Sequence, residues 1–262
     1  MTEGDWPGTA IGHTTADSIT VRGSDLADDL MGRVTFTELT FLLIRGVRPS
    51  EAETRLLDAV LVSLADHGLT PTVLAARLTY TGAPESLQGA VAAGLLGAGS
   101  VFLGVVEDTA RFLREVLAEA GPEPSSEALA AAAGTAVESR LAAGARIPGL
   151  GHPVHRVEDP RTARIYQIAD ETGLLGPHLQ ALRAVAAAHA ERSGRALPIN
   201  GAGVAGAALA DLGFPAEIVR GFALLARTAG LVAHLAEEMT RPLGMPLFLE
   251  VERRPGGGQP PP

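Results

Sequence analysis

The stretch Ile147-Pro148-Gly149-Leu150-Gly151-His152-Pro153-Val154-His155-Arg156 concentrates more potential chemistry than any other part of the chain. His152 sits in a glycine-rich loop, where backbone can approach a ligand closely and leave amides free to meet anions. Arg156 follows in the same loop, and Arg161 stands just after Asp159-Pro160, near a predicted helix start. A cation there opposes the helix dipole and gains nothing for the helix, so Arg161 is better explained as serving a ligand. His152 and His155 have the look of two metal ligands, but no third ligand stands at a familiar spacing, and no metal is expected.

Gly201-Ala202-Gly203-Val204-Ala205-Gly206 matches G-x-G-x-x-G letter for letter. A dinucleotide site also needs a strand before it and a βαβ unit around it. The segment before it reads as helix, so close helix packing is the better reading. Glu237 and Glu238, on the last long predicted helix, read as solvated charges.

These residues must be positioned by helices. The chain of 262 residues is 46% hydrophobic but only 4% aromatic, so Ala, Leu and Val must build its core. Alanine has the highest helix propensity and no rotamers to lose. Apolar periodicity predicts helices over Thr35–Ile44, Glu51–Asp66 (with Ser50 as N-cap), Thr72–Leu78, Glu85–Leu96, Glu107–Ala118 and Ser126–Ala143. After the irregular Arg146–Pro160, it predicts Arg161–Glu171, Pro177–Glu191, Val204–Leu212 and a long helix from Pro215 toward Arg241. Ser18–Arg22 alternates enough for one short strand. The fold class is all-α. Residues 9–96 and 204–254 are assigned to a large helical domain and 97–203 to a smaller inserted one, with glycine-rich joints at Gly97–Gly104 and Gly201–Gly206. Residues 1–8 and 255–262 read as flexible tails.

Composition excludes several chemistries. All 21 basic residues are arginine, so there is no Schiff-base lysine and no P-loop lysine; with no cysteine there is no thiol nucleophile, thiolate metal site or disulfide. The net charge of −9 argues against nucleic acid as a partner. No apolar run of membrane-spanning length and no signal pattern stand out, and a cytoplasmic location is expected.

Gly149-Leu150-Gly151-His152 through Arg156 to Asp159-Pro160-Arg161 resembles, in order and spacing, the active-site loop of citrate synthases. Leu64-Ala65-Asp66-His67-Gly68 is similar to that family's Asp-His pair ending a helix. Arg227-Thr228-Ala229-Gly230-Leu231-Val232-Ala233-His234 resembles its late arginine helix, and Arg22-Gly23 with Thr35–Pro49 its early pattern. The chain's length is closest to the short citryl-CoA lyases and the lyase module of ATP-citrate lyase. The resemblance implies an all-α homodimer with a cleft between a large and a small domain. It implies a polycarboxylate gripped by His67, Arg161 and Arg227, with His152 on the oxygen that is hydroxyl in citrate and carbonyl in oxaloacetate, helping to take its proton in cleavage and donating to the carbonyl in condensation. It places coenzyme A, as an acyl-CoA substrate or product, beside Gly149, Gly151, Arg156 and, on position alone, Arg195.

Three positions depart from the family pattern. Ser100-Val101-Phe102-Leu103 stands where synthases carry the enolate-stabilising histidine, and the short lyases also lack it. The arginine given across the dimer has no clean match, leaving Arg253 or Arg254 to replace it. Asn200 falls at the position assigned to the catalytic aspartate, and an amide cannot exchange a proton with carbon as a carboxylate does. The resemblance therefore implies citryl-CoA cleavage to acetyl-CoA and oxaloacetate, or related acyl-CoA chemistry, slowed by Asn200 and quickened by Asn200→Asp. The alternative is a catalytically weak subunit that binds coenzyme A or a polycarboxylate.

Overall fold

The computed structural model describes residues 8–254; the predicted tails lie outside them, apart from Gly8. A small antiparallel sheet opens the chain, with β1 (Gly12–Thr14), β2 (Ile19–Val21) and β3 (Ser24–Asp25) in that order. The predicted strand is its central member. Eleven α-helices follow among the described residues: α1 (Phe36–Arg45), α2 (Glu51–Ala65), α3 (Pro71–Gly82), α4 (Leu87–Leu96), α5 (Val105–Ala120), α6 (Ser126–Ala142), α7 (Pro160–Glu171), α8 (Pro177–Ser193), α9 (Gly201–Asp211), α10 (Ala216–Thr240) and α11 (Gly244–Arg253).

Local chemistry sets many of the helix ends. Thr35 with Glu38 opens α1 and Ser50 with Glu53 opens α2, each as a reciprocal capping box that satisfies two orphan amides. Sequence patterning does not predict helix α11, because Pro242, Gly244 and Pro246 look like breakers. Tertiary structure supplies its start: the Glu238 carboxylate accepts the amides of Leu243 at 2.9 Å and Gly244 at 2.7 Å. Glu238 is therefore not solvated. It is 5% exposed and paired at 2.9 Å with Arg77, which is itself buried. Glu237, half exposed, pairs with the same arginine.

Helix α10 runs through the centre, packed on α2, α3, α4, α5 and α9. Over part of its 25 residues its mean hydropathy is 1.4, so by length and composition it could cross a bilayer, against the expectation that no run has that length. Val219, Phe222, Ala223, Leu231 and Leu235 bury that apolar surface in the protein interior instead.

The main core joins α1 and α2 to α5–α10, and a second cluster of Val73, Ala76, Ala90, Leu231 and Leu235 ties α3 and α4 to α10. The predicted joint at 97–104 is the turn between α4 and α5, whereas the boundary at Gly203 falls inside α9.

Helix α9 starts at Gly201 rather than Val204 because tertiary contacts override the low helix propensity of its glycines. A β-carbon on Gly203 would run into the backbone of Gly149, and one on Gly206 into the carbonyl of Val106. The G-x-G-x-x-G spacing is thus a packing surface, as the missing βαβ unit implied. Every residue from Gly201 to Leu209 is buried except Ala202, which lines the cleft described next.

Candidate active site

A cleft of about 1720 Å³ opens between the α2–α3 loop, α5, the 146–156 loop and the start of α9. It brings together nine residues predicted from the sequence: His67, Gly149, Gly151, His152, Arg156, Arg161, Arg195, Asn200 and Arg227 all line it.

His67 follows the C-terminus of α2 on a loop pinned by its neighbour. One Asp66 oxygen accepts the Gly68 amide at 2.9 Å, and the other meets Nε2 of His234, on α10, at 2.8 Å. Burial, Arg161, His155 and Arg227 hold the His67 imidazole below its usual pKa, so its neutral form is favoured.

Arg227 projects from α10 and is 4% exposed. Its Nε and one terminal nitrogen donate to the Leu64 carbonyl at 3.3 Å, and the other terminal nitrogen to Thr70 Oγ1 at 3.2 Å. No carboxylate among the described residues forms an ion pair with it. Burial presses its pKa down, partly countered by Asp66. A buried cation with only neutral partners favours an incoming anion.

Arg161 lies in the first turn of α7, where Asp159 is the N-cap. Asp159 accepts from Arg161 Nε at 2.9 Å and from a terminal nitrogen at 2.7 Å, a fork-to-fork pair that fixes the guanidinium plane. The same carboxylate accepts the Gly201 amide at 2.8 Å, joining α7 to α9. Arg161 retains 21% side-chain exposure toward the cleft.

The 146–156 loop is shaped by two glycines in left-handed backbone, Gly149 at φ +83° and Gly151 at φ +81°, a region costly for other residues. It pairs with the segment before α9: the Gly151 amide donates to Pro198 at 2.8 Å and the Asn200 amide to Gly149 at 2.9 Å. The Asn200 side chain completes this joint. Its Nδ2 donates to the Gly151 carbonyl at 2.9 Å and its Oδ1 accepts the Gly203 amide at 2.8 Å, capping α9. Both ends of the amide are thus engaged with backbone.

Beyond the joint the loop turns His152 into the cleft. Its Nδ1 accepts the backbone amides of Val154 at 3.1 Å and His155 at 3.0 Å. In the neutral ring this places the proton on Nε2, so His152 presents a hydrogen-bond donor. Burial, with His155, Arg161 and His67 nearby, holds its pKa down, and Asp159 offsets this in part.

Folding completes a cluster that spacing did not reveal. The ring of His67 lies 5.2 Å from that of His152 and 5.9 Å from that of His155, while His152 and His155 are 4.5 Å apart. One nitrogen from each ring falls within 4.8 Å of the others, close enough to share a metal ion. The protonated Nε2 of His152 and the field of Arg161 and Arg227 both disfavour a cation there. His155 was read only as half of a metal motif; its part in the cluster depends on a loop from a different helix pair.

Arg111, Arg140, Arg146, Arg156 and Arg195 also line the cleft, Arg111 paired with Glu107 and Glu217, so basic residues outnumber Asp108 and Glu115 there. Arg140, whose guanidinium lies 4.9 Å from the Phe112 ring centre, and Arg146 were not singled out in the sequence, because single arginines on helices and loops carry no spacing signal. Ser100–Leu103 lines the cleft without any ionisable group, and Arg253 and Arg254 do not line it.

An all-helical protein whose central cleft sets two arginines and three histidines around an anion-sized space is the class that fold and site define. The family described as citrate synthase, C-terminal domain, matches residues 31–245, and the chain belongs to the citrate synthase family. The citryl-CoA lyase of Hydrogenobacter thermophilus superposes with a TM-score of 0.85 at 33% identity, covering 98% of this chain and 96% of that one. The ATP citrate lyase of Methanothrix soehngenii, solved with citrate and coenzyme A, gives a TM-score of 0.73 at 22% identity over 88% of this chain and 38% of its own. The putative citrate synthase 2 of Mycobacterium tuberculosis is 31% identical over 196 residues, 72% of this chain and 49% of its own length. The chain therefore spans about half the length of the curated relatives it matches.

Proposed function

We propose that this protein cleaves citryl-CoA, or a close 3-hydroxyacyl-CoA relative, into an acyl-CoA and a 2-oxoacid such as oxaloacetate, acting in the cytoplasm. The observation that carries this reading is Arg227, buried without an ion-pair partner among the described residues and facing the cleft that also holds Arg161, His67 and His152. A polycarboxylate would neutralise Arg227 and meet the side of the Arg161 guanidinium that Asp159 leaves free; both remain charged at any working pH. His152 Nε2–H would donate to the hydroxyl oxygen as it becomes a carbonyl, and neutral His67 would take the hydroxyl proton. Arg140, Arg146, Arg156 and Arg195 fit the phosphates of a coenzyme A moiety, with the 146–156 loop beside its adenine.

Citrate or oxaloacetate should raise the melting temperature, because a ligand bound only by the folded state stabilises it by mass action. Arg161→Ala or Arg227→Ala should abolish that shift, each removing a charge-assisted pair, whereas Arg156→Ala should weaken coenzyme A binding and spare the citrate shift. Arginine variants that bind citrate as tightly as the parent would overturn the placement.

A homodimer is also expected. Met245, Phe248, Leu249 and Val251 leave an exposed apolar face on α11, the kind of surface that a symmetric partner covers. Light scattering at micromolar concentration should give twice the chain mass.

A further inference from the structure

Cleaving the carbon–carbon bond of citryl-CoA moves two protons. The hydroxyl proton leaves to a base as C–O becomes C=O, and the electron pair of the broken bond passes to the thioester as an enolate. The enolate carbon must then gain a proton to become the methyl group of acetyl-CoA; no oxidant or reductant enters.

The groups able to give that second proton are few. Asn200 is held by the Gly151 carbonyl and the Gly203 amide, and an amide is no acid. Asp159 is fully buried and spends its oxygens on Arg161 and Gly201. Asp66 is engaged with His234 and Gly68. Glu158 lines a separate groove beside Tyr166 and Arg183, outside the cleft. Asp108 and Glu115 line the cleft from α5, but no carboxylate joins the three-histidine cluster among the described residues. His152 has its Nδ1 tied to two amides and its Nε2–H aimed at the substrate oxygen. That leaves His67 for the hydroxyl proton and His155 for the carbon.

We propose that His155 is the acid that protonates the carbon released from citryl-CoA, and the base that removes a methyl proton from acetyl-CoA in the reverse direction. This rests on the cleavage reading above. Its ring lies 4.5 Å from that of His152, which binds the oxygen at one end of the breaking bond, and 5.9 Å from that of His67. The proton that His67 takes from the hydroxyl resets His155 after His155 has given its own to the carbon, so no proton is gained or lost over the cycle. The position also has a built-in control: the contact that orients His152 comes from the His155 backbone amide, which side-chain substitution leaves in place.

The test compares the parent with His155→Gln and His155→Ala. Three readouts are oxaloacetate release from citryl-CoA, deuterium uptake into the acetyl-CoA methyl in heavy water with oxaloacetate present, and the citrate-dependent rise in melting temperature. Cleavage and exchange should both fall by about 10²–10⁴-fold, the usual contribution of a general acid or base, while the citrate shift persists. Variants that cleave and exchange at the parent's rate would overturn the assignment of His155 and leave the lyase reading standing. A parent that shows the citrate shift yet releases no oxaloacetate would overturn both. Loss of parent activity on EDTA dialysis, with recovery on adding Zn²⁺, would make the cluster a metal site and overturn the acid role.

Discussion

Replacing Asp159 with alanine is expected to cost about 3–5 kcal/mol of stability, the range for removing one partner of a buried ion pair, and to abolish citrate binding. The carboxylate caps α7, holds the Arg161 fork and receives the Gly201 amide that starts α9. Its loss frees Arg161 to rotate and leaves a buried amide without an acceptor. Chemical denaturation with and without citrate reads both effects; a variant of parental stability that still responds to citrate would overturn this role. The parent should also show an acid limb absent from the variant. Burial alone would raise the Asp159 pKa, but Arg161 and the Gly201 amide outweigh it and bring it from 3.8 to about 2. A carboxyl depressed in the fold stabilises fully above its unfolded pKa and loses that contribution as pH falls through the folded one. Between about pH 4 and pH 2 the parent should therefore lose about 2 kcal/mol through this group.

Asn200→Asp is expected to slow cleavage rather than quicken it. The sequence alone favours a gain, since the substitution installs a carboxylate at the position assigned to proton transfer. The structure reverses that expectation. Aspartate is as good an N-cap and would still accept the Gly203 amide. It cannot donate to the Gly151 carbonyl, and it sets a charged oxygen 2.9 Å from another oxygen where a hydrogen bond now sits. Leaving a buried acceptor unpaired costs about 1–3 kcal/mol, and the strain falls on the loop that aims His152. Oxaloacetate release from citryl-CoA, measured on both proteins, decides the matter. A faster variant would show that the carboxylate reaches the carbon and that the present hydrogen bonds yield to substrate.

Much of the protein was legible in its residues. Alanine-rich periodicity and the cap at Ser50 set ten of the helices, because helix formation and capping depend on neighbours a few positions apart. The order of Gly149, Gly151, His152, Asp159 and Arg161 marked the loop, because left-handed glycines and a helix-start arginine leave a local imprint. Other features depended on residues far apart in the chain. Glu238 looked solvated until Arg77 and the start of α11 surrounded it. Asn200 looked like a lost catalytic group until the Gly151 carbonyl met it. His155 became part of a three-histidine cluster only when the loop after α2 brought His67 beside it. Local backbone preference and side-chain type set the helices and the inventory of charges; which charge is neutralised, and which is left facing the cleft, depends on long-range packing that no short window of residues encodes.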